Sequence, residues 1–215
     1  MTFLEKSRGA FIVLEGCDRS GKSTQVKLLV NRLEQLGHNV MLWKFPERKT
    51  QIGSMIDEYL KNVKDVDDKA IHLLFSANRW ECMSEMKKKL LDGITLVVDR
   101  YAYSGVAYSA AKGLDLEWCK SPDIGLLTPD IVFFMNLTSE EAEKRFGFGN
   151  ERYEEKAFQE KVRNTFNFLK DPTWKVLNAC RAVEKLHKEI ESLSLKTIQK
   201  CSNLPLKEDL WKKCF

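Results

Sequence analysis

Gly16-Cys17-Asp18-Arg19-Ser20-Gly21-Lys22-Ser23-Thr24 follows the apolar run Phe11-Ile12-Val13-Leu14 and opens onto a helical pattern. Strand, glycine-bounded loop, Lys-Ser-Thr and helix form the setting in which a backbone wraps around phosphates. The glycines allow close approach, and loop N–H groups and the helix N-terminus then face an anion. Lys22 is placed to reach the β- and γ-phosphates, and the Ser23 hydroxyl to help hold Mg²⁺. The stretch therefore predicts nucleoside triphosphate binding. Asp18 and Arg19 say more, because a plain phosphate cradle needs neither a carboxylate nor a second cation.

Outward from this loop, five short runs read as buried strands: Ala10–Leu14, Val40–Phe45, Ile94–Val98, Ile131–Leu137 and Trp174–Leu177. They are almost continuously apolar, as in a parallel sheet covered on both faces. Helical patterns lie between them. Val26, Leu29, Val30, Leu33 and Leu36 form a stripe closed by Gly37; about Asp67 to Leu91 is a longer helix with Ala70, Leu73, Leu74 and Ala77 as its expected core stripe. Glu140–Arg145, Lys156–Leu169 and Ala182–Lys200 complete the set. Alternating strands and helices predict a doubly wound α/β fold of five parallel strands flanked by helices. Phe146–Glu155, with two glycines and dense charge, reads as a flap over a single domain spanning 1–215.

The 215 residues suffice for a core without staples. A net charge of +4, from 35 basic and 31 acidic residues, gives no nucleic-acid or membrane surface. The six cysteines make no C-x-x-C pair and no metal spacing, so they read as thiols of a reducing compartment. Cys17 sits in the phosphate loop, a position compatible with exposure. No apolar run approaches the roughly 20 residues of a membrane span, and Met1–Gly9 is too short and polar for a signal peptide. The expected location is cytoplasmic, with nuclear access open.

Two further signals converge on the loop. Asp99 ends the run Leu96-Val97-Val98, so it points into the crevice at the strands' carboxyl ends and can orient a metal beside Ser23. Arg48, Arg79 and Arg100 are scattered after strand ends and on the long helix, with Phe75 one turn before Arg79. Guanidinium groups match phosphate geometry, so this second set suggests a second anion.

Together the residues resemble the thymidylate kinases of the eukaryotic and poxviral type. The motifs are LEGCDRSGKST (14–24), FPER (45–48), LLFSANRWE (73–81), TLVVDRYAYSGVAYSAAKG (95–113), PDIVFFMNL (129–137) and ERYEEKAFQ (151–159). The resemblance implies the three-layer P-loop fold of nucleoside monophosphate kinases. It implies ATP- and Mg²⁺-dependent phosphorylation of thymidine 5′-monophosphate (dTMP) to dTDP, on the route to dTTP, by a homodimer. Catalytic roles fall to Arg19, Lys22, Asp99 and Arg100, with Ser23 and Asp99 on the metal. Gly16, Asp18, Arg19, Ser20, Gly21, Lys22, Ser23 and Thr24 would hold ATP, with Arg145 against the adenine and Arg181 beside the segment that reads it. Asp18 would bind the acceptor's 3′-hydroxyl, and Arg48 and Arg100 its phosphate. Phe75 would stack on thymine and Arg79 would donate to its carbonyl edge. Phe45, Ser104 and Gly105 would line the acceptor site, Tyr108 would crowd the sugar C2′, and Tyr153 in the flap, with Gln159 at its base, would cover the sugar. Arg19, rather than the flap's Arg145 or Arg152, is expected to be the catalytic cation.

Other readings make distinct demands. A nucleoside kinase needs a carboxylate base near a 5′-hydroxyl, and none is clearly placed. A GTP-hydrolysing switch needs an N-K-x-D segment, which is absent, and the only D-x-x-G is Asp18–Gly21 inside the loop. An inactive nucleotide-binding scaffold would not need both residue sets intact.

Overall fold

A computed structural model describes residues 7–144, 152–153 and 155–212, apart from the side chains of Ser139 and Glu143. Five parallel strands, β1 (Phe11–Glu15), β2 (Val40–Lys44), β3 (Thr95–Asp99), β4 (Ile131–Asn136) and β5 (Trp174–Asn178), lie in the order β2-β3-β1-β4-β5. All five expected strands are present, with bounds within one residue of those read from the sequence. Side chains alternate between faces, and both faces are buried. Phe11, Val13, Leu96, Val98, Val132 and Phe134 enter one core, while Ala10, Ile12, Leu14, Val97, Phe133 and Met135 enter the other.

Helix α1 (Lys22–Gln35) follows the phosphate loop and packs on the second core with the C-terminal α8 (Val183–Cys201). The opposite layer holds α3 (Asp68–Leu91), α4 (Ala102–Ala111) and α7 (Lys156–Asn167). Between β2 and α3 runs α2 (Gln51–Leu60), started by the Thr50 hydroxyl, which accepts the Gly53 N–H at 2.9 Å. The short α5 (Leu116–Lys120), a 3₁₀ turn at Ser121–Asp123 and α6 (Ser139–Glu143) complete the described elements. Among the described residues, no helix is long and apolar enough to cross a membrane.

One expectation fails. Most of the stripe Ala70, Leu73, Leu74 and Ala77 does not face the core: Ala70 and Leu73 are exposed and Ala77 is half-buried, while Leu74, half-buried, packs against Ile56, Tyr59, Leu60 and Ile71. The inward side of α3 carries Ile71, His72, Ser76, Asn78, Arg79, Cys82, Met83, Met86 and Leu90. Its first half packs against polar partners on neighbouring elements, so hydrophobic periodicity picked the wrong side.

Register positions the site. Leu14 of β1 lies opposite Asp99 of β3, and Lys44 of β2 is level with Asp99 as well. The chain after β1, the end of β3 and the Phe45-Pro46 turn after β2 therefore meet at one edge of the sheet. This is the crevice outside the carboxyl ends, where the chain leaves a central strand in both directions.

Candidate active site

The loop after β1 is shaped by close approach. A Cβ on Gly16, at φ +144°, would lie 2.7 Å from the Met135 carbonyl oxygen. Only glycine suits both the angle and the space. Arg19 adopts φ +59° and Arg100 φ +69°. Left-handed backbone costs an L-residue roughly 1–2 kcal/mol, and such strain persists where surrounding contacts over-determine it. Two strained arginines thus flank the same loop.

Lys22 is buried, and its ammonium donates to the Cys17 carbonyl at 2.6 Å and to Ser20 Oγ at 3.2 Å. Burial, then the charge of Arg100, bring its pKa down to about 8. The Ser23 hydroxyl donates to Asp99 Oδ2 at 2.6 Å.

Beside Lys22 and Ser23 sits a charge cluster centred on Asp18. Arg100 pairs with Asp18 through Nη2, and its Nη1 donates to the Gly16 carbonyl at 3.0 Å and to Ser104 Oγ at 3.1 Å. Tyr108 donates its hydroxyl to Asp18 Oδ2 at 2.9 Å, and Gln159 Nε2 donates to the same oxygen at 2.7 Å. Gln159 Oε1 also accepts the Asp18 N–H at 2.9 Å, and its Nε2 donates to the Tyr153 carbonyl at 2.8 Å. Burial favours the neutral acid of Asp18, but Arg100, Lys22 and these hydrogen bonds outweigh it and hold the carboxyl below its usual range.

Glu15, fully buried on the last residue of β1, begins α4. Its Oε1 accepts the N–H groups of Tyr101 and Ser104 at 2.8 and 3.1 Å, and its Oε2 accepts the Ser104 hydroxyl at 2.5 Å. A carboxylate from another element thus caps this helix. It fixes Arg100 and Ser104 at the first turn.

A second set of side chains comes from the turn after β2 and from α3 and α4. Arg48 Nη1 pairs with Asp57 Oδ1 at 2.5 Å. Arg79, buried, grips buried Asp123 at both oxygens: Nε to Oδ1 at 3.1 Å and Nη2 to Oδ2 at 2.6 Å. The guanidinium lies flat on Gly105, where a Cβ would stand 2.9 Å from both terminal nitrogens. Aromatic rings wall the opening: Tyr108 meets Tyr153 edge-on at 5.4 Å, and Tyr153 stacks on Phe158 at 5.3 Å.

All of this surrounds one cavity of about 520 Å³. Asp18, Arg19, Gly21, Lys22, Ser23 and Thr24 of the phosphate loop line it, with Asp99. Phe45, Arg48, Phe75, Arg79, Arg100, Ser104, Gly105, Tyr108 and Tyr153 line the rest.

The thymidylate kinase family model matches residues 14–190. A thymidylate kinase from Arabidopsis thaliana is 54% identical over 92% of this chain and 75% of its own length. The Homo sapiens thymidylate kinase is 51% identical over 95% of this chain and 98% of its own. The chain belongs to the thymidylate kinase family. The solved structure of thymidylate kinase from Candida albicans superposes with a TM-score of 0.85 at 37% identity, covering 94% of this chain and 98% of that one. That likeness includes the P-loop kinase fold expected from the motifs, with its five-stranded parallel sheet.

Of the residues named from the sequence, Gly16, Ser20 and Gln159 support the cavity from behind. Arg181 is not brought to it: it is exposed beyond β5 and pairs with Glu189 of α8 at 2.6 Å. Arg145, and most of the expected flap Phe146–Glu155, lie outside the described residues; Arg152 and Tyr153 are within them. Arg152 faces away from the phosphate loop, donating to the Tyr59 carbonyl at 2.9 Å and to Asp65 at 2.5 Å. Cys17 is buried, not exposed, with its thiol directed at the Gln159 carbonyl and pushed up to about 11 by burial.

Sequence reading missed Glu15, Asp57 and Asp123, the acids that hold Ser104, Arg48 and Arg79. Only Glu15 left a trace, as a carboxylate ending an apolar run just before the loop glycine.

The flat contact at Gly105 makes a prediction. In Gly105→Ala the methyl group must displace the Arg79 guanidinium, which Asp123 holds in place. Losing one hydrogen bond of that kind corresponds to about a tenfold rise in acceptor KM, with kcat and ATP affinity nearly unchanged. Steady-state kinetics with each substrate varied checks this; a fall in kcat at constant KM would contradict it.

Proposed function

We propose that the protein transfers the γ-phosphoryl group of ATP to the phosphate of dTMP, yielding dTDP and ADP. The observation that supports this reading is one cavity lined both by a phosphate loop that includes Arg19 and by a second set of arginines with an aromatic ring. In this reading Lys22 and the loop N–H groups hold the donor phosphates. Arg48 and Arg100 hold the acceptor phosphate, Phe75 stacks on thymine, and Arg79 donates to its 4-oxo group. Asp18 takes the 3′-hydroxyl, while Tyr108 and Tyr153 close on the sugar. A phosphate monoester is already an anionic nucleophile, so no strong base is needed. Catalysis is positioning plus charge stabilisation at the transferring oxygens. Arg19 supplies the cation that touches both phosphates.

Mg²⁺ fits the residues present. Ser23 and Asp99 offer two hard oxygen donors in mutual contact. Among the described residues no group of three or more His, Cys, Asp or Glu is placed to hold a metal, as suits an ion completed by substrate phosphates. When bound, the ion supplies charge neutralisation at the phosphates.

Homodimer formation belongs to the same reading. The stripe Ala70, Leu73, Leu74 and Ala77 on the outer side of α3 supports it as an apolar face for a second copy, and sedimentation would read one chain or two. Cytoplasmic residence is supported by the free thiols at Cys17, Cys82, Cys119, Cys180 and Cys201.

A coupled ADP-release assay with a panel of acceptors tests the proposal. The expected result is turnover of dTMP that needs Mg²⁺ and far exceeds that of dUMP, dCMP or the ribonucleotides. Equal turnover of UMP or CMP would reject thymidylate as the acceptor, and turnover of thymidine itself would favour a nucleoside kinase.

A further inference from the structure

Behind the base end of the cavity lies a histidine with no role in the chemistry above. His72 of α3 is fully buried. Its Nδ1 is 2.8 Å from Ser109 Oγ and its Nε2 is 2.9 Å from the Cys119 carbonyl oxygen, with Trp118 against the ring at 5.3 Å. Ser109 is buried on the same face of α4 as Ser104, Gly105 and Tyr108, and it lines the cavity.

The proton positions follow from elimination. A carbonyl oxygen can only accept, so Nε2 must carry a hydrogen. Otherwise two lone pairs would face each other at 2.9 Å in a dry site. A second proton on Nδ1 would put a cation there, and burial, followed by nearby Arg79, pushes His72 down, away from that form. The Gly105 carbonyl also neighbours the ring, but like the Cys119 carbonyl it can only accept, so it offers no hydrogen to a bare Nδ1. The ring is thus neutral with a bare Nδ1, and the Ser109 hydroxyl donates to it. A hydroxyl has one hydrogen and two lone pairs. With the hydrogen committed to His72, Ser109 can only accept from the cavity.

We propose that Ser109 is a specificity-determining residue that accepts a hydrogen bond from the base, and that His72 is the positioning residue that fixes its polarity. The proposal rests on the acceptor reading above and deepens it. The cavity then offers the base two fixed polarities. Arg79, locked by Asp123, only donates; Ser109, locked by His72, only accepts. A pyrimidine with a 4-oxo group and an N3–H matches both. Cytosine, with a 4-amino group and a bare N3, opposes both. A serine free to turn its hydroxyl could have served either base. Discrimination therefore comes from leaving polar groups unpaired in the wrong complex, where the penalty is largest.

Two measurements test this, the first independent of any substrate. In ¹⁵N-histidine-labelled protein, with His38 and His187 assigned by their glutamine variants, the His72 ring should show a neutral state with the proton on Nε2 throughout pH 6–8. A proton on Nδ1, or a charged ring, overturns the proposal. The second is the dissociation constants of dTMP and dCMP for wild type, Ser109→Ala and Ser109→Thr, with thermal melting recorded for each. The alanine variant should bind dTMP about tenfold more weakly and dCMP no more weakly than wild type. The threonine variant should keep the wild-type preference. An equal loss for both nucleotides, or no loss for either, overturns the proposal. A wild-type protein without preference for dTMP would instead sink the acceptor reading, while the ring's proton position would still be read.

Discussion

Arg19→Ala should lower kcat by on the order of 10³-fold while the directly titrated ATP Kd rises only a few-fold. The expectation follows from position. In the proposed reading Lys22, buried against the loop carbonyl of Cys17, serves the donor phosphates, and Arg48 and Arg100 hold the acceptor phosphate. Arg19 lines the same cavity from a left-handed backbone conformation at φ +59°. A cation between two polyanions is worth most when charge moves from one to the other, which is a transition-state effect. It therefore appears in kcat rather than in ground-state binding. Arg19→Lys should recover only part of the loss, because an ammonium cannot span two phosphates in the guanidinium's planar geometry. Equal losses in kcat and ATP affinity would make Arg19 a binding residue.

The second large effect is expected at Arg100, in stability as well as activity. Its guanidinium ties Asp18, the Gly16 carbonyl and Ser104 together, and it faces the charges of Asp99 and Glu15. Arg100→Met keeps much of the length but leaves Asp18 poorly compensated. Removing one partner of a fully buried pair costs about 3–5 kcal/mol; this pair is half-buried, so a smaller loss is expected, and for a chain of this size each kcal/mol corresponds to roughly 2–4 °C in Tm. The pH dependence has a definite sign. Folding lowers the Asp18 pKa, so its contribution is fully present above the unfolded value and is lost as pH falls through the folded one. The stability gap between wild type and Arg100→Met should thus be full at neutral pH and shrink on acidification. Melting curves from pH 7 downward read this. A constant gap would mean that Arg100 stabilises by packing alone. Turnover of dTMP should fall together with stability, since Arg100 lines the cavity beside Asp18.

The sheet was legible because buried parallel strands write themselves as apolar runs, and the loop because phosphate binding dictates its glycines and lysine. Beside the site, helix α4 was not, and for α3 the extent was legible but the buried face was not. In α4, AYSGVAYSAA is small and apolar on all sides, since the sheet core covers one face and the cavity needs close approach at the other. In α3, the outward stripe is more apolar than the inward one, because the inward side holds His72, Ser76, Asn78 and Arg79 for neighbouring elements. The second ring of the site was invisible for a related reason. Arg79 and Asp123 are 44 positions apart, and nothing local marks an acid that will meet an arginine across a turn. Arg48 and Asp57 are nearer, but joining them requires knowing that a helix begins at Gln51. Single-residue chemistry could be read from the chain, whereas the pairing that orients it required the fold.

A crystal structure with dTMP and a non-hydrolysable ATP analogue bound together tests the central claim most directly. The account predicts the triphosphate in the Gly16–Thr24 loop, thymine on the Phe75 ring beside Arg79 and Ser109, and the Arg19 guanidinium in contact with both nucleotides' phosphates. A monophosphate bound outside this cavity, or an Arg19 turned away from both nucleotides, would contradict it.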